Sequence, residues 1–131
     1  MSLDPQDPSS AAKRFFDDFV GAFSSFNGVV VAQRYAAPYL ALRAEGPSEQ
    51  FSTPDEIARY FQAVLDVYHA QGYRTCRYKD LHVVPLGRRY LLATVTWELL
   101  DAADAVVSEW RESYTLSQVD GAFVVSVSMD H

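Results

Sequence analysis

Cysteine is almost missing from this chain: Cys76 is the only one in 131 residues. One thiol cannot close an intramolecular disulfide, and no Cys/His spacing of the metal-binding kind occurs. Neither a disulfide framework nor a metal site is therefore expected, and a reducing compartment, the cytoplasm, is the expected location. Basic residues are also scarce. Eleven lysines and arginines against seventeen aspartates and glutamates give a formal net charge of −6, the wrong sign for holding nucleic acid by its phosphates. No run approaches the roughly 18 consecutive apolar residues of a membrane span. The segment Met1-Ser2-Leu3-Asp4-Pro5 lacks the basic region and apolar stretch of a secretion signal. Nucleic acid and membrane are thus excluded as expected partners. Internal repeats and low-complexity tracts are absent, and no cofactor is expected.

What the chain does have is apolar and aromatic bulk, 49% hydrophobic residues and 14% aromatic, in the length of one domain. A chain of this size buries roughly two-thirds of its unfolded surface and can hold a core without staples. Residues 1–7 carry Pro5 and no periodicity, which reads as a flexible leader, and residues 8–131 as a single domain. Asp7-Pro8 is a helix start, an N-capping carboxylate followed by proline in the first helical position. Ala12, Phe15, Phe16, Phe19, Val20, Phe23 and Phe26 then share one face, and Asn27-Gly28 ends the helix. Residues 29–37 are ambiguous, because three valines favour a strand while Gln33-Arg34-Tyr35 and Pro38 suit a short helix; the segment is read as a short helix. Residues 39–43 and 49–52 form a small hairpin in this reading. Thr53-Pro54-Asp55-Glu56 is a capping box that opens a helix with a stripe of Ile57, Tyr60, Phe61, Val64, Leu65 and Tyr68, stopped by Gly72.

After Gly72 the period changes to two. Residues 74–84, 89–100, 106–117 and 123–130 read as four long antiparallel strands in a meander. Leu91, Ala93, Val95, Trp97 and Leu99 should share the inner face of the second. Trp110, Glu112, Tyr114 and Leu116 should do so on the third, and Phe123, Val125, Val127 and Met129 on the fourth. Thr94, Thr96, Arg111, Ser113, Thr115, Ser126 and Ser128 would then face outward, toward solvent or a wet dimer interface.

This order of helix, short helix, hairpin, capped helix and four-strand meander resembles the nuclear transport factor 2-like superfamily, and within it the SnoaL-like proteins. The resemblance runs from about Pro8 to His131. Besides topology it rests on the phenylalanine-rich first helix, Ser52-Thr53-Pro54-Asp55-Glu56-Ile57, Asp80-Leu81, Trp97-Glu98 and the Asp120-Gly121 turn. It implies an α+β, cone-shaped, cystatin-like fold, with N-terminal helices packed on a curved antiparallel sheet around a cavity, and a homodimer formed through the sheet. The superfamily includes isomerases, dehydratases and polyketide cyclases beside proteins without catalysis, so fold does not give function. Many relatives carry acidic residues just after the tyrosine of the second helix. Here the sequence reads Tyr35-Ala36-Ala37-Pro38-Tyr39, so that acid position is empty and enzymatic activity is left open.

Glu112 is the foremost chemical candidate, because a carboxylate between Trp110 and Tyr114 on an apolar face would have a raised pKa suited to general acid or base work. The alternative is that this face meets solvent or a dimer partner, or that Glu112 pairs with an arginine. Tyr114 could donate to a ligand carbonyl or be a satisfied core tyrosine. His69, His82 and His131 read as surface groups, and Cys76 as an inert thiol. Residues 74–90 hold five basic side chains against Asp80 alone, which suits either an anionic partner or the protection of an exposed edge strand. The expected activity is binding of a small, largely apolar molecule. Phe19, Phe23, Tyr35, Phe61, Tyr68, Trp97 and Trp110 would surround it, with Glu112 and Tyr114 fixing its orientation. The two alternatives are a proton-transfer enzyme using Glu112 and a non-catalytic dimerisation module with a filled cone.

Overall fold

A computed structural model describes residues 7–131; the expected leader, apart from Asp7, lies outside the described residues. Helix α1 spans Pro8–Ser24, α2 Gly28–Ala32 and α3 Pro54–Ala70. Strands β1 (Tyr35–Leu42), β2 (Glu49–Phe51), β3 (Thr75–Leu86), β4 (Tyr90–Leu100), β5 (Val106–Val119) and β6 (Ala122–Asp130) form one curved sheet in the order β2-β1-β6-β5-β4-β3. Every neighbouring pair is antiparallel except β1 and β6, which run parallel. This is the expected α+β architecture.

Local chemistry accounts for the helix ends. Asp7 accepts the Ser10 backbone N–H at 3.1 Å, and Thr53 and Glu56 close the capping box of α3 from both sides. At the end of α1 the left-handed residue is Phe26, at φ 51°, rather than Gly28. Asn27 is already committed to capping α2, where its side chain accepts the Val29 and Val30 amides. Gly28 serves a different purpose. It sits where α2 crosses α3, and a Cβ there would be driven into the Ala58 carbonyl oxygen and lie 2.7 Å from the Gln62 backbone nitrogen. The Gln62 side chain in turn accepts the Gly28 N–H at 2.8 Å and donates to the Phe26 carbonyl.

The short helix expected over residues 29–37 stops at Ala32, and from Tyr35 the chain is strand. Pairing with β6 decides this: the Val125 amide donates to the Arg34 carbonyl, and Tyr35 lies beside Val125. Once a neighbouring strand supplies hydrogen bonds, the weak local helix preference of this segment is overridden. The hairpin of β1 and β2 forms as read, with Tyr39 opposite Phe51.

Two irregularities reset which side chains face inward. In β3 the register shifts between Lys79 and His82, and Asp80 has a φ of 55°. Cys76 and Tyr78 therefore pack inward before the shift, and Leu81 and Val83 after it. Between β5 and β6 the register shifts so that Leu116 opposes Val125 while Thr115 opposes Val127. Val125 is fully buried, but the next inward residues are Ser128, which is buried, and Asp130. The expectation that Val127 and Met129 continue the inner face, with Ser128 outward, is thus corrected: one extra residue in β6 exchanges the two faces.

The core lies between α1, α3 and the inner face of the sheet. Phe16, fully buried, touches the rings of Phe15, Phe19, Tyr78, Trp97 and Tyr114 at centroid separations of 5.2 to 6.2 Å. On the outer face, Arg77 and Lys79 of edge strand β3 pair with Glu98, and Lys79 also with Glu109. Two of the five basic side chains of residues 74–90, Arg77 and Lys79, are therefore answered by the protein's own carboxylates. No helix of the described residues is long and apolar enough to cross a membrane.

Candidate functional site

Toward one end of the cone the helices and the sheet separate and leave a cavity of about 740 Å³. Ten of its 25 lining residues are aromatic. Phe23 reaches it from α1, Phe61 and Tyr68 from α3, and Tyr35 from β1; Trp97 enters from β4, and Trp110, Glu112 and Tyr114 from β5. Phe19 does not line it. At 1% exposure it is packed among Phe15, Phe16, Phe23, Tyr35, Trp97 and Tyr114, so one turn of α1 separates a core ring from the cavity ring Phe23.

The polar groups converge on Glu112. The Trp110 indole N–H donates to Glu112 Oε1 at 2.8 Å, and the Trp97 indole N–H donates to the Tyr114 hydroxyl at 2.6 Å. Tyr39 and Ser128 share a hydroxyl hydrogen bond of 2.6 Å. Directly across from Glu112 on the neighbouring strand is Asp130, which also lines the cavity and accepts the Ala44 amide at 2.7 Å. Burial raises the Glu112 pKa above the ordinary carboxylate range. The Trp110 hydrogen bond opposes that shift, and the nearby Asp130 charge adds to it. Burial also raises Tyr114 and Tyr35, and it pushes Tyr68 up to about 12, with the Glu112 charge contributing in each case. These phenols remain protonated donors at neutral pH. The Cys76 thiol, also on the cavity wall, is pushed up to about 12 by burial, which leaves it unreactive.

At the rim, Arg43 forms a salt bridge with Glu49, donates to the Tyr60 hydroxyl at 3.2 Å, and lies 5.6 Å from the Tyr60 ring centre. The histidines are peripheral. His69 and His82 are exposed, and His131 is exposed at the cavity edge, bonded to Ser113 at 2.9 Å. Among the described residues no three His, Cys, Asp or Glu side chains are grouped to hold a metal. Sequence reasoning missed Tyr39, Ser128, Asp130 and Arg43 as cavity residues. Tyr39 opens the hairpin strand as read, with no signal there of the wall it forms, and Ser128 and Asp130 follow the irregularity in β6. Arg43 carries no signal in the sequence beyond its place at the end of a hairpin strand.

Chemically, the site is an aromatic chamber with two adjacent carboxyl groups, the pKa of one of them raised by burial, and several neutral hydroxyl donors. It can enclose an apolar body, orient a polar group and exchange a proton.

Residues 8–131 match the family described as NTF2-like protein (DUF6841). Aln2 from a Streptomyces species is similar in structure, at 14% identity over 99% of this chain and 94% of that one, with a TM-score of 0.77. An NTF-2 like protein of unknown function from Shewanella oneidensis is 10% identical over 95% and 98% of the two chains, with a TM-score of 0.73. A ketosteroid isomerase-like protein from Erwinia carotovora atroseptica is 15% identical over 92% of each chain, with a TM-score of 0.67. At such identities the likeness is one of fold. No curated protein matches the sequence.

Proposed function

The chain belongs to the NTF2-like family, and within that fold we propose that its cavity binds a small, largely apolar molecule. The observation that carries this reading is the 740 Å³ chamber itself, of ligand size and lined by aromatic rings around a few convergent polar groups. Its volume counts against a filled, purely structural cone. Phe23, Phe61 and Tyr68 would cover the ligand from the helices, and Trp97 and Trp110 would meet it from the sheet. Glu112 and Tyr114 would set its orientation.

Glu112 also favours a second reading, proton-transfer chemistry such as isomerisation, dehydration or cyclisation. Its pKa is raised by burial, and it has Asp130 beside it and hydroxyl donors around it. With a substrate in hand, Glu112→Gln separates the two readings: an enzyme loses turnover while keeping affinity, and a binding protein has no turnover to lose.

The outer face of the sheet supports a homodimer. Leu40, Val127, Thr115 and Leu92 form a cross-strand row on that face, all partly exposed and covered by no helix. A second copy would bury this row. A cytoplasmic location fits the single unpaired thiol.

Native mass spectrometry of gently purified protein, beside a denatured aliquot, tests ligand and oligomer together. A dimer with a discrete extra mass that disappears on denaturation is the expected result. A ligand-free monomer would contradict both parts of the proposal.

A further inference from the structure

The charged groups of the cavity are arranged asymmetrically. Glu112 and Asp130 project from paired positions on β5 and β6 into the same aromatic chamber. Among the described residues, neither makes a salt bridge with a basic side chain. Arg43, the basic residue on the wall, is held at the rim by Glu49 and Tyr60, and His131 is tied to Ser113 on the outer side. Two adjacent carboxyl groups in a partly dry, ring-lined space repel a ligand carboxylate or phosphate, and Arg43, whose charge reaches Asp130, makes its salt bridge with Glu49, so among the described residues neither carboxyl group has a directly paired positive charge. A guest can supply that charge. The walls suit it, because indole and phenol faces attract cations, and Arg43 over Tyr60 shows one ring of this cavity already doing so.

Resting on the reading that the cavity binds a small molecule, we propose that the preferred ligand is an organic cation. Its apolar body would lie against Phe61, Tyr68 and Trp97, and its protonated or quaternary amine would be held between Glu112 and Asp130 beside the Trp110 ring. The ammonium would meet both carboxyl groups beside the donors they already have, the Trp110 N–H and the Tyr114 and Ser128 hydroxyls on Glu112 and the Ala44 amide on Asp130. Charge-assisted hydrogen bonds to both carboxylates would then supply the selectivity. A neutral molecule of the same shape would bury the same area without answering either charge.

The two tryptophans of the chain, Trp97 and Trp110, both line the cavity, so intrinsic fluorescence reports directly on occupancy. Three probes of matched shape and no near-ultraviolet absorbance decide the matter: cyclohexylmethylamine, cyclohexylmethanol and cyclohexanecarboxylate. The amine is expected to bind at least about tenfold more tightly than the alcohol, with the carboxylate weakest. In Glu112→Gln and in Asp130→Asn the amine's advantage over the alcohol should shrink to about threefold or less. The alcohol's affinity serves as the check that each variant is still folded around its cavity. An alcohol or carboxylate that binds the wild-type protein as tightly as the amine overturns the cation proposal and leaves the apolar pocket standing. If none of the three perturbs the tryptophans and native mass spectra carry no ligand, the proposed binding function fails as well.

Discussion

Glu112 on β5 and Asp130 on β6 are direct cross-strand partners, and both line the same aromatic cavity. Two carboxyl groups so placed cannot both be ionised without cost, and burial, with the Asp130 charge adding to it, raises the Glu112 pKa.

The first prediction concerns pH. Because the folded-state pKa of Glu112 is raised, its protonated form favours the fold. That contribution is complete below the ordinary carboxylate range and is lost as pH rises through the raised value. Glu112→Gln, which keeps an oxygen for the Trp110 N–H, should therefore be more stable than the wild type at neutral pH. The gain should be on the order of 1 kcal/mol, the scale of cost for a partly desolvated charge. In acid the advantage should vanish. Urea denaturation of both proteins across that range measures the difference, and a gap that stays constant with pH would contradict it.

Phe16 sits at the centre of the aromatic core, fully buried against five aromatic neighbours from α1 and the sheet. Phe16→Ala should cost about 3–5 kcal/mol through lost burial and a residual void. Chemical denaturation at a single pH is sufficient to test it.

The glycines offer a paired test. Gly28→Ala would push a methyl group against the Ala58 carbonyl and the Gln62 backbone, and it should destabilise by roughly 1–3 kcal/mol as α2 is forced off α3. Gly21→Ala, inside α1 with nothing within 4 Å of the new Cβ, should instead stabilise by about 0.5–1 kcal/mol through helix propensity. Thermal melts of the two variants should move in opposite directions.

Thr53→Ala removes the side-chain acceptor for the Glu56 amide at the start of α3. The expected loss is about 1 kcal/mol. Since α3 carries Phe61 and Tyr68 to the cavity, hydrogen exchange should show faster opening of its first turn than in the wild type.

How far these features were legible in the sequence depends on whether local pattern or distant pairing controls them. The caps at Asp7 and Thr53, the periodic stripes of α1 and α3 and the long alternating strands depend on neighbours within a few residues, and they appear in the structure close to where the pattern places them. The Asp120-Gly121 turn, with φ values of 51° and 82°, is of the same local kind. Residues 35–37 are different: their strand state is imposed by β6, roughly ninety positions away. Asp130 was hidden for a related reason. Strict alternation from Val125 puts it on the outer face, and only the extra residue in β6 turns it inward. The helical period also places Phe19 on the right face of α1 but carries no information on depth, which distinguishes a core ring from one on a cavity wall.

The place of β6 in the sheet bears on the order of assembly during synthesis. It lies between β1 and β5, so a ribosome-bound chain lacking these residues has two half-sheets, β2-β1 and β5-β4-β3, with open backbone edges facing each other and nothing to join them. Contacts of such long sequence separation form late. The same strand brings Ser128 and Asp130 to the cavity wall, so a nascent chain gains the chamber's second carboxyl group only in the step that closes the sheet. Until then its two open edges would be the surfaces for which a chaperone, or another unfinished copy, competes.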